Sequence, residues 1–189
     1  FYKYYSGRKI DMDLKEKKLG RDLVYDGSLL KVYCDQVELV NGKKTVREWI
    51  NHPGAAAVIP LLDGKKTILV KQFRYPIGRE TLEIPAGKLD PGESPLECAA
   101  RELREETGLF GGELIKIGSL VTTPAFTNEE IHLYVNRKPS LGCSDTDEGE
   151  FINTVLLPVK EVFIWIEEGK IKDAKTVMAF LLAKTKGLL

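Results

Sequence analysis

The sequence predicts an α/β fold of the mixed α+β kind, and three observations predict it. Extended runs joined by hairpin turns dominate the first ninety residues, one sharply capped helix stands in the middle, and strands followed by two helical segments close the chain. Leu23 to Ile50 reads as extended structure that folds back at Asn41-Gly42, with Val37 and Leu39 before the turn and Val46, Trp49 and Ile50 after it. Ala56 to Leu62 and Thr67 to Phe73 flank Asp63-Gly64 as a second hairpin, and Thr81 to Ile84 is a short strand ahead of Pro85. The helix runs from Ser94 to Thr107: Ser94 is its N-cap, Pro95 its first helical position, Glu97 completes a capping box and Gly108 takes the left-handed C-terminal place. Glu113 to Val121, Glu129 to Asn136 and Phe151 to Leu157 return to strand. Pro158 to Glu168 and Asp173 to Lys184 read as helices, the first ended by Gly169.

A chain of 189 residues holds one domain of ordinary size plus an extension, and we set the extension at residues 1–50 and the domain at 51–189. The 28 basic residues cancel the 28 acidic ones, which argues against a nucleic-acid partner held by counterion release. The longest nearly apolar run, Ala55 to Leu62, falls far short of the roughly 20 residues a membrane helix needs, and the start of the chain shows no signal-like apolar region. No membrane partner and a cytoplasmic address are therefore expected. Cys34, Cys98 and Cys143 are too widely spaced for a disulfide framework or a metal knuckle and read as reduced, structural thiols. His52 and His132, eighty residues apart, read as ordinary strand or loop residues.

The helix carries more acid than its neighbours explain. At 100° per residue Leu96, Ala99, Ala100, Leu103 and Thr107 form the stripe expected to pack on the sheet. Beside it Glu102, Glu105 and Glu106 crowd into one arc, and Glu105 and Glu106 lose roughly 0.3 to 1 kcal/mol apiece at the negative end of the macrodipole. Arg101 and Arg104 lie at least about 40° away on the wheel, so a divalent cation is the natural counter-ion, and oxygen ligands alone suit Mg²⁺ or Mn²⁺.

From Gly87 the spacing reads G-x5-E-x7-R-E-U-x-E-E-x-G-U through Glu93, Arg101, Glu102, Glu105, Glu106 and Gly108, U being apolar. A chance match is on the order of 10⁻⁹ per starting point. The segment resembles the Nudix box, which implies an α/β/α sandwich of mixed sheets and a divalent-metal-dependent hydrolase of nucleoside diphosphates linked to another moiety. By that resemblance Glu102, Glu106 and the carbonyl of Ala86 are metal ligands for two to three ions. Glu105 is a further ligand or a group behind one, and Glu93 pairs with Arg101 to tie loop to helix. Gly87 reads either as letting the backbone approach a metal-bound phosphate closely or as simple turn chemistry, and Pro91-Gly92 as a turn that brings Glu93 to the helix start.

Outside the box, Pro124 falls fifteen residues after Leu109, and Arg47-Glu48, Gln72-Phe73-Arg74 and the ending Trp165 to Ile171 are similar to the ADP-ribose pyrophosphatase branch. The likeness runs from about Leu19 to Ala183 and implies hydrolysis of ADP-ribose to AMP and ribose 5-phosphate. It implies Arg74 and Glu83 at the substrate and Arg47 and Glu48 on the adenine side; Trp49 reads as core, with stacking on adenine as the other possibility. Counting back from Glu167-Glu168-Gly169-Lys170-Ile171 sets Glu148 on the branch's general base and Glu150 on a position that assists a metal, within the acidic run Asp145 to Glu150. The alternatives are a GDP-mannose hydrolase of the same superfamily and a non-catalytic ADP-ribose sensor; the complete acid set argues against the sensor. The resemblance also implies a homodimer through the N-terminal strands, about Leu23 to Ile50, because the extension is too small to form its own core.

Overall fold

The computed structural model describes residues 13–142 and 151–189. The chain divides into two compact units, Phe1–Asn51 and His52–Leu189.

The first unit is an antiparallel meander of β1 (Lys17–Asp26), β2 (Lys31–Glu38) and β3 (Lys44–Asn51). The single hairpin expected from Leu23 onward is corrected to three strands. The first begins at Lys17, and a turn closed by the Gly27 N–H to Leu30 carbonyl bond (2.9 Å) separates it from the second. Lys17 to Arg21 carries no alternating pattern, so its strand character comes from pairing with β2, Arg21 facing Asp35. Arg21 forks onto Asp35 with two 2.7 Å bonds, and its guanidinium lies over Tyr33 and Trp49, whose rings stack 5.2 Å apart. Asp35 and Val37 are the buried residues among those described in this unit, while Leu23, Val24, Tyr25, Leu29 and Leu30 are exposed.

The second unit contains β4 (Ala55–Leu62), β5 (Lys66–Arg74), a 3₁₀ turn at Tyr75–Ile77, β6 (Arg79–Glu83), β7 (Ala86–Lys88), α1 (Pro95–Thr107) and β8 (Leu109–Phe110). It continues through β9 (Glu113–Val121), β10 (Glu130–Arg137), β11 (Ser140–Leu141), β12 (Asn153–Pro158), α2 (Val159–Glu167) and α3 (Ala174–Thr185). The main sheet runs β12-β5-β4-β10-β9, with β6 on β5 and β7 on β4; β4 and β10 are parallel and the other pairs antiparallel, which makes the sheet mixed.

Central β4 is buried from Ala55 to Leu61, as a strand covered on both faces must be. Its period of two sends Ala55, Ala57, Ile59 and Leu61 into a core with Leu133, Val162 and Phe180, and Ala56 and Val58 into another with Tyr134, Cys98, Ala99 and Leu103. So α1 covers one face and α2 and α3 the other, and the α/β/α sandwich stands. Strands β7, β8 and β11 have two or three residues and no readable pattern of their own; pairing alone defines them. Among the described residues no helix is long and apolar enough to cross a membrane.

Candidate active site

Local chemistry sets α1 in place before any tertiary contact. Ser94 accepts from the Glu97 N–H while the Glu97 carboxylate accepts from the Ser94 N–H at 2.9 Å, and Gly108 closes the helix at φ 71°. Ahead of it, Asp90-Pro91-Gly92-Glu93 forms a turn with Gly92 at φ 84° and the Glu93 N–H on the Asp90 carbonyl at 3.0 Å.

The buried face of α1 differs from the stripe expected. Leu96 is 48% exposed and Ala100 is exposed, whereas Cys98, Ala99, Leu103, Glu106 and Thr107 are buried. The helix is turned about 50° from the apolar stripe, at 100° per residue. The rotation puts Glu106 at the middle of the sheet-facing side, where Ala86 donates its N–H to Oε2 at 2.9 Å. A hydrogen-bonded carboxylate thus takes the place an apolar side chain would fill, at a cost in burial that a purely structural helix would not carry. Glu102 lies against β7: a Cβ on Gly87 would come within 1.8 Å of its Oε1. The close approach that Gly87 allows in this structure is to the Glu102 carboxylate, a role neither reading of this glycine contained.

Arg101 overturns the wheel argument that left the carboxylates without a protein cation. Its Nε and Nη2 bind Glu93 at 2.8 and 2.9 Å, its Nη1 binds Glu102 at 2.7 Å and Glu105 at 2.9 Å, and Nη2 also donates to the Lys88 carbonyl at 3.0 Å. Wheel angles describe where Cβ points, and a long arginine reaches past them. The Arg101 bond holds Glu93 well below the usual carboxylate range, at about 2, and the three carboxylates raise the arginine in turn. Beneath this cluster burial pushes the Cys98 thiol up to about 12, so it is unreactive; Cys34 is also free, and Cys143 lies outside the described residues.

A second charged cluster forms on β5 and β6. Arg74 forks onto Glu83 with Nε on Oε1 at 2.8 Å and Nη2 on Oε2 at 2.6 Å. Thr81 donates to Oε1 at 2.5 Å, and Lys175 from α3 donates to Oε2. Burial raises the Glu83 pKa, but Arg74, Lys175 and Thr81 outweigh it and hold the carboxyl at about 2. The bond to Glu83 raises Arg74, and the fields of Asp173 and Glu106 add to it, so this arginine and the α1 carboxylate share one neighbourhood.

The model of the NUDIX domain matches residues 51–180. This chain belongs to the Nudix family. It is 38% identical to an ADP-ribose pyrophosphatase of Bacillus subtilis over 93% of its own length and 96% of that protein's. It is 40% identical to a methanol dehydrogenase activator of Bacillus methanolicus, over 87% and 90% of the two chains. A crystal structure of an ADP compounds hydrolase superposes with a TM-score of 0.82 at 25% identity, covering 93% of this chain and 97% of the other.

Within the Nudix unit the structure brings Ala86, Glu102, Glu105 and Glu106 to one end of α1, and Arg74 and Glu83 to the adjoining edge of β5 and β6. Arg47 and Glu48 are exposed on β3 of the N-terminal unit, where Arg47 pairs with Glu16 at 3.0 Å. Glu148 and Glu150 lie outside the described residues. His52 accepts from the Gly54 N–H at 3.1 Å and stands 3.5 Å from Glu129, a loop contact. Lys175, Asp173 and Thr176 escaped the sequence reading; the one signal was Asp173 as N-cap of the last helix.

The residues of the Nudix box fit a hard divalent cation. The donors are carboxylate oxygens and backbone carbonyls, Gly87 clears the space in front of Glu102, and one arginine serves three carboxylates, which leaves the cluster with negative charge to spare. Among the described residues no three acidic, histidine or cysteine side chains converge as ligands, because Glu102 and Glu105 turn toward Arg101 and Glu106 toward the Ala86 amide.

Proposed function

We propose that this Nudix hydrolase cleaves the pyrophosphate of ADP-ribose to AMP and ribose 5-phosphate. What supports the reading most is the near full-length likeness to the Bacillus subtilis ADP-ribose pyrophosphatase, borne by a chain whose box acids are complete. Glu102, Glu106 and the Ala86 carbonyl would hold two to three Mg²⁺ ions, with Mn²⁺ as a substitute, and Glu105 and Glu150 would assist. Those ions, when bound, supply charge neutralisation of the pyrophosphate and activation of a water.

The chain's own residues do the rest. Arg74 turns its unshared edge to phosphate or ribose oxygens while Glu83, buried behind it, keeps the guanidinium in place. Glu148 takes the proton of the attacking water as general base. Arg47 and Glu48 serve the adenine end.

The test is a panel of ADP-ribose and GDP-mannose with Mg²⁺ and with a chelator, the products identified by mass. AMP and ribose 5-phosphate, formed only with metal, are expected. Faster GDP-mannose turnover would move the reading to that alternative, and tight binding of ADP-ribose without products would favour the sensor. The reading includes a homodimer through the N-terminal strands, supported by a three-stranded sheet that buries little of its own. Light scattering is expected at twice 21.2 kDa.

A further inference from the structure

We infer that the first turn of α3 is a positioning device for substrate recognition, in which Lys175 and Asp173 hold Glu83 and, through it, the Arg74 guanidinium. The inference rests on the reading of Arg74 as a substrate ligand and adds residues that the Nudix box does not contain.

Glu83 is 2% exposed. Its Oε1 accepts from Arg74 Nε and Thr81 Oγ1, and its Oε2 from Arg74 Nη2 and Lys175 Nζ. Four donors fill the acceptor positions of a carboxylate, so Glu83 has none to offer a ligand and acts on one only through its partners. Arg74 is the partner that reaches out: its side chain is 43% exposed, against 10% for Lys175.

Lys175 is held in turn. It donates to Asp173 Oδ1 at 3.0 Å, and Asp173 Oδ2 caps α3 by accepting from the Thr176 N–H at 2.9 Å and its hydroxyl at 2.6 Å. The same Thr176 hydroxyl accepts from the Ile84 N–H at 2.9 Å. The turn of α3 therefore grips two consecutive residues, Glu83 and Ile84. Two residues further on, the Ala86 N–H holds Glu106. One helix turn thus sets the Arg74 edge and the Glu106 carboxylate in register along a single stretch of chain.

A buried lysine is a costly way to fill space, and a methionine of similar length would pack without desolvation. Position explains the choice. Arg74, Lys175, Glu83 and Asp173 sum to zero charge, so what Lys175 adds is a second grip on Glu83: with Lys175 on Oε2 and Thr81 on Oε1 the carboxylate is fixed, and the Arg74 fork is fixed with it.

The test uses the full chain with the substrate that the panel above identifies. Lys175→Met is expected to raise KM about tenfold with kcat within threefold, and Lys175→Arg to recover most of that loss. Glu83→Gln should raise KM similarly, and the double variant should be no worse than either single one, because both act through Arg74. In the metal-free protein the Arg74 Nε–H resonance, assigned by its loss in Arg74→Ala, should shift in Lys175→Met. A Lys175→Met enzyme with lower thermal stability but a KM within twofold of wild type overturns the inference, provided Arg74→Ala raises KM. An unchanged KM in Arg74→Ala overturns the substrate role of Arg74 as well. Should Lys175→Met fail to fold, the double variant decides, since it buries no uncompensated carboxylate: a wild-type KM there overturns the inference and a raised one supports it.

Discussion

Two charged clusters stand on either side of the short segment from Ile84 to Gly87, and they are built with opposite stoichiometry. At the end of α1 one arginine, Arg101, is shared by Glu93, Glu102 and Glu105; at the edge of β6 one carboxylate, Glu83, is shared by Arg74 and Lys175. The first keeps surplus negative charge and suits a cation; in the second Asp173 balances Lys175, and the exposed edge of Arg74 is the part turned toward an anion. Glu93 and Glu83 both sit near pKa 2 for different reasons. For Glu93 the Arg101 bond is the largest cause, with the Asp90 amide and Cys98 adding to it against a smaller burial effect, while for Glu83 burial is the largest cause and three donors must overcome it. A metal-assisted cleavage of a pyrophosphate calls for this pairing of unlike clusters.

The comparison can be broken most sharply at Glu106. Glu106→Gln is expected to lower kcat by about 10³ or more, several kcal/mol of transition-state stabilisation, while the melting temperature stays within a few degrees because the amide oxygen still accepts from Ala86. Initial rates and melts on the same preparation check it; activity near wild type removes the first cluster from the chemistry.

Next in size is the acid limb of stability. The folded-state pKa of Glu83 is depressed from 4.5 to about 2, so its contribution, about 3 kcal/mol, is present above pH 4.5 and lost as pH falls toward 2. Denaturant titrations of wild type and Glu83→Gln between pH 6 and 2.5 should converge at the acid end.

Arg101→Met should cost about 2 kcal/mol in chelator, since it leaves three carboxylates without their shared cation. Mg²⁺ should restore more stability to this variant than it adds to wild type, read as melting shifts with and without metal.

The smallest effect is that of Gly87→Ala, which pushes against the end of the Glu102 side chain. Catalytic efficiency should fall about tenfold, worth about 1.4 kcal/mol, with little change in melting. An unaffected enzyme would mean that the resting place of Glu102 against β7 does not matter to catalysis.

Much of this was legible without coordinates, and the reason is locality. The helix at 95–107 is specified by Ser94, Pro95, Glu97 and Gly108, all within its own span, and the structure reproduces it. The box acids follow from spacing on that helix. The rotation of α1 was not legible, because hydrophobicity ranks Leu96 and Ala100 above Glu106, whereas in the fold Glu106 is buried and bonded to the Ala86 amide. Lys17 to Arg21 likewise looks featureless until β2 pairs with it.

By itself, then, the sequence determined the family, the mixed α/β architecture, the caps of α1 and the set of acids for a metal, since each rests on residues near one another in the chain. The Glu93–Arg101 pair was implied by the resemblance and the structure contains it. Tertiary structure alone decided that the same Arg101 also meets Glu102 and Glu105, and what stands behind Arg74, where Lys175 reaches Glu83 ninety-two residues back. A contact of that separation leaves no periodicity in the sequence; it exists because the sheet and α3 pack against each other, and packing is a property of the whole unit.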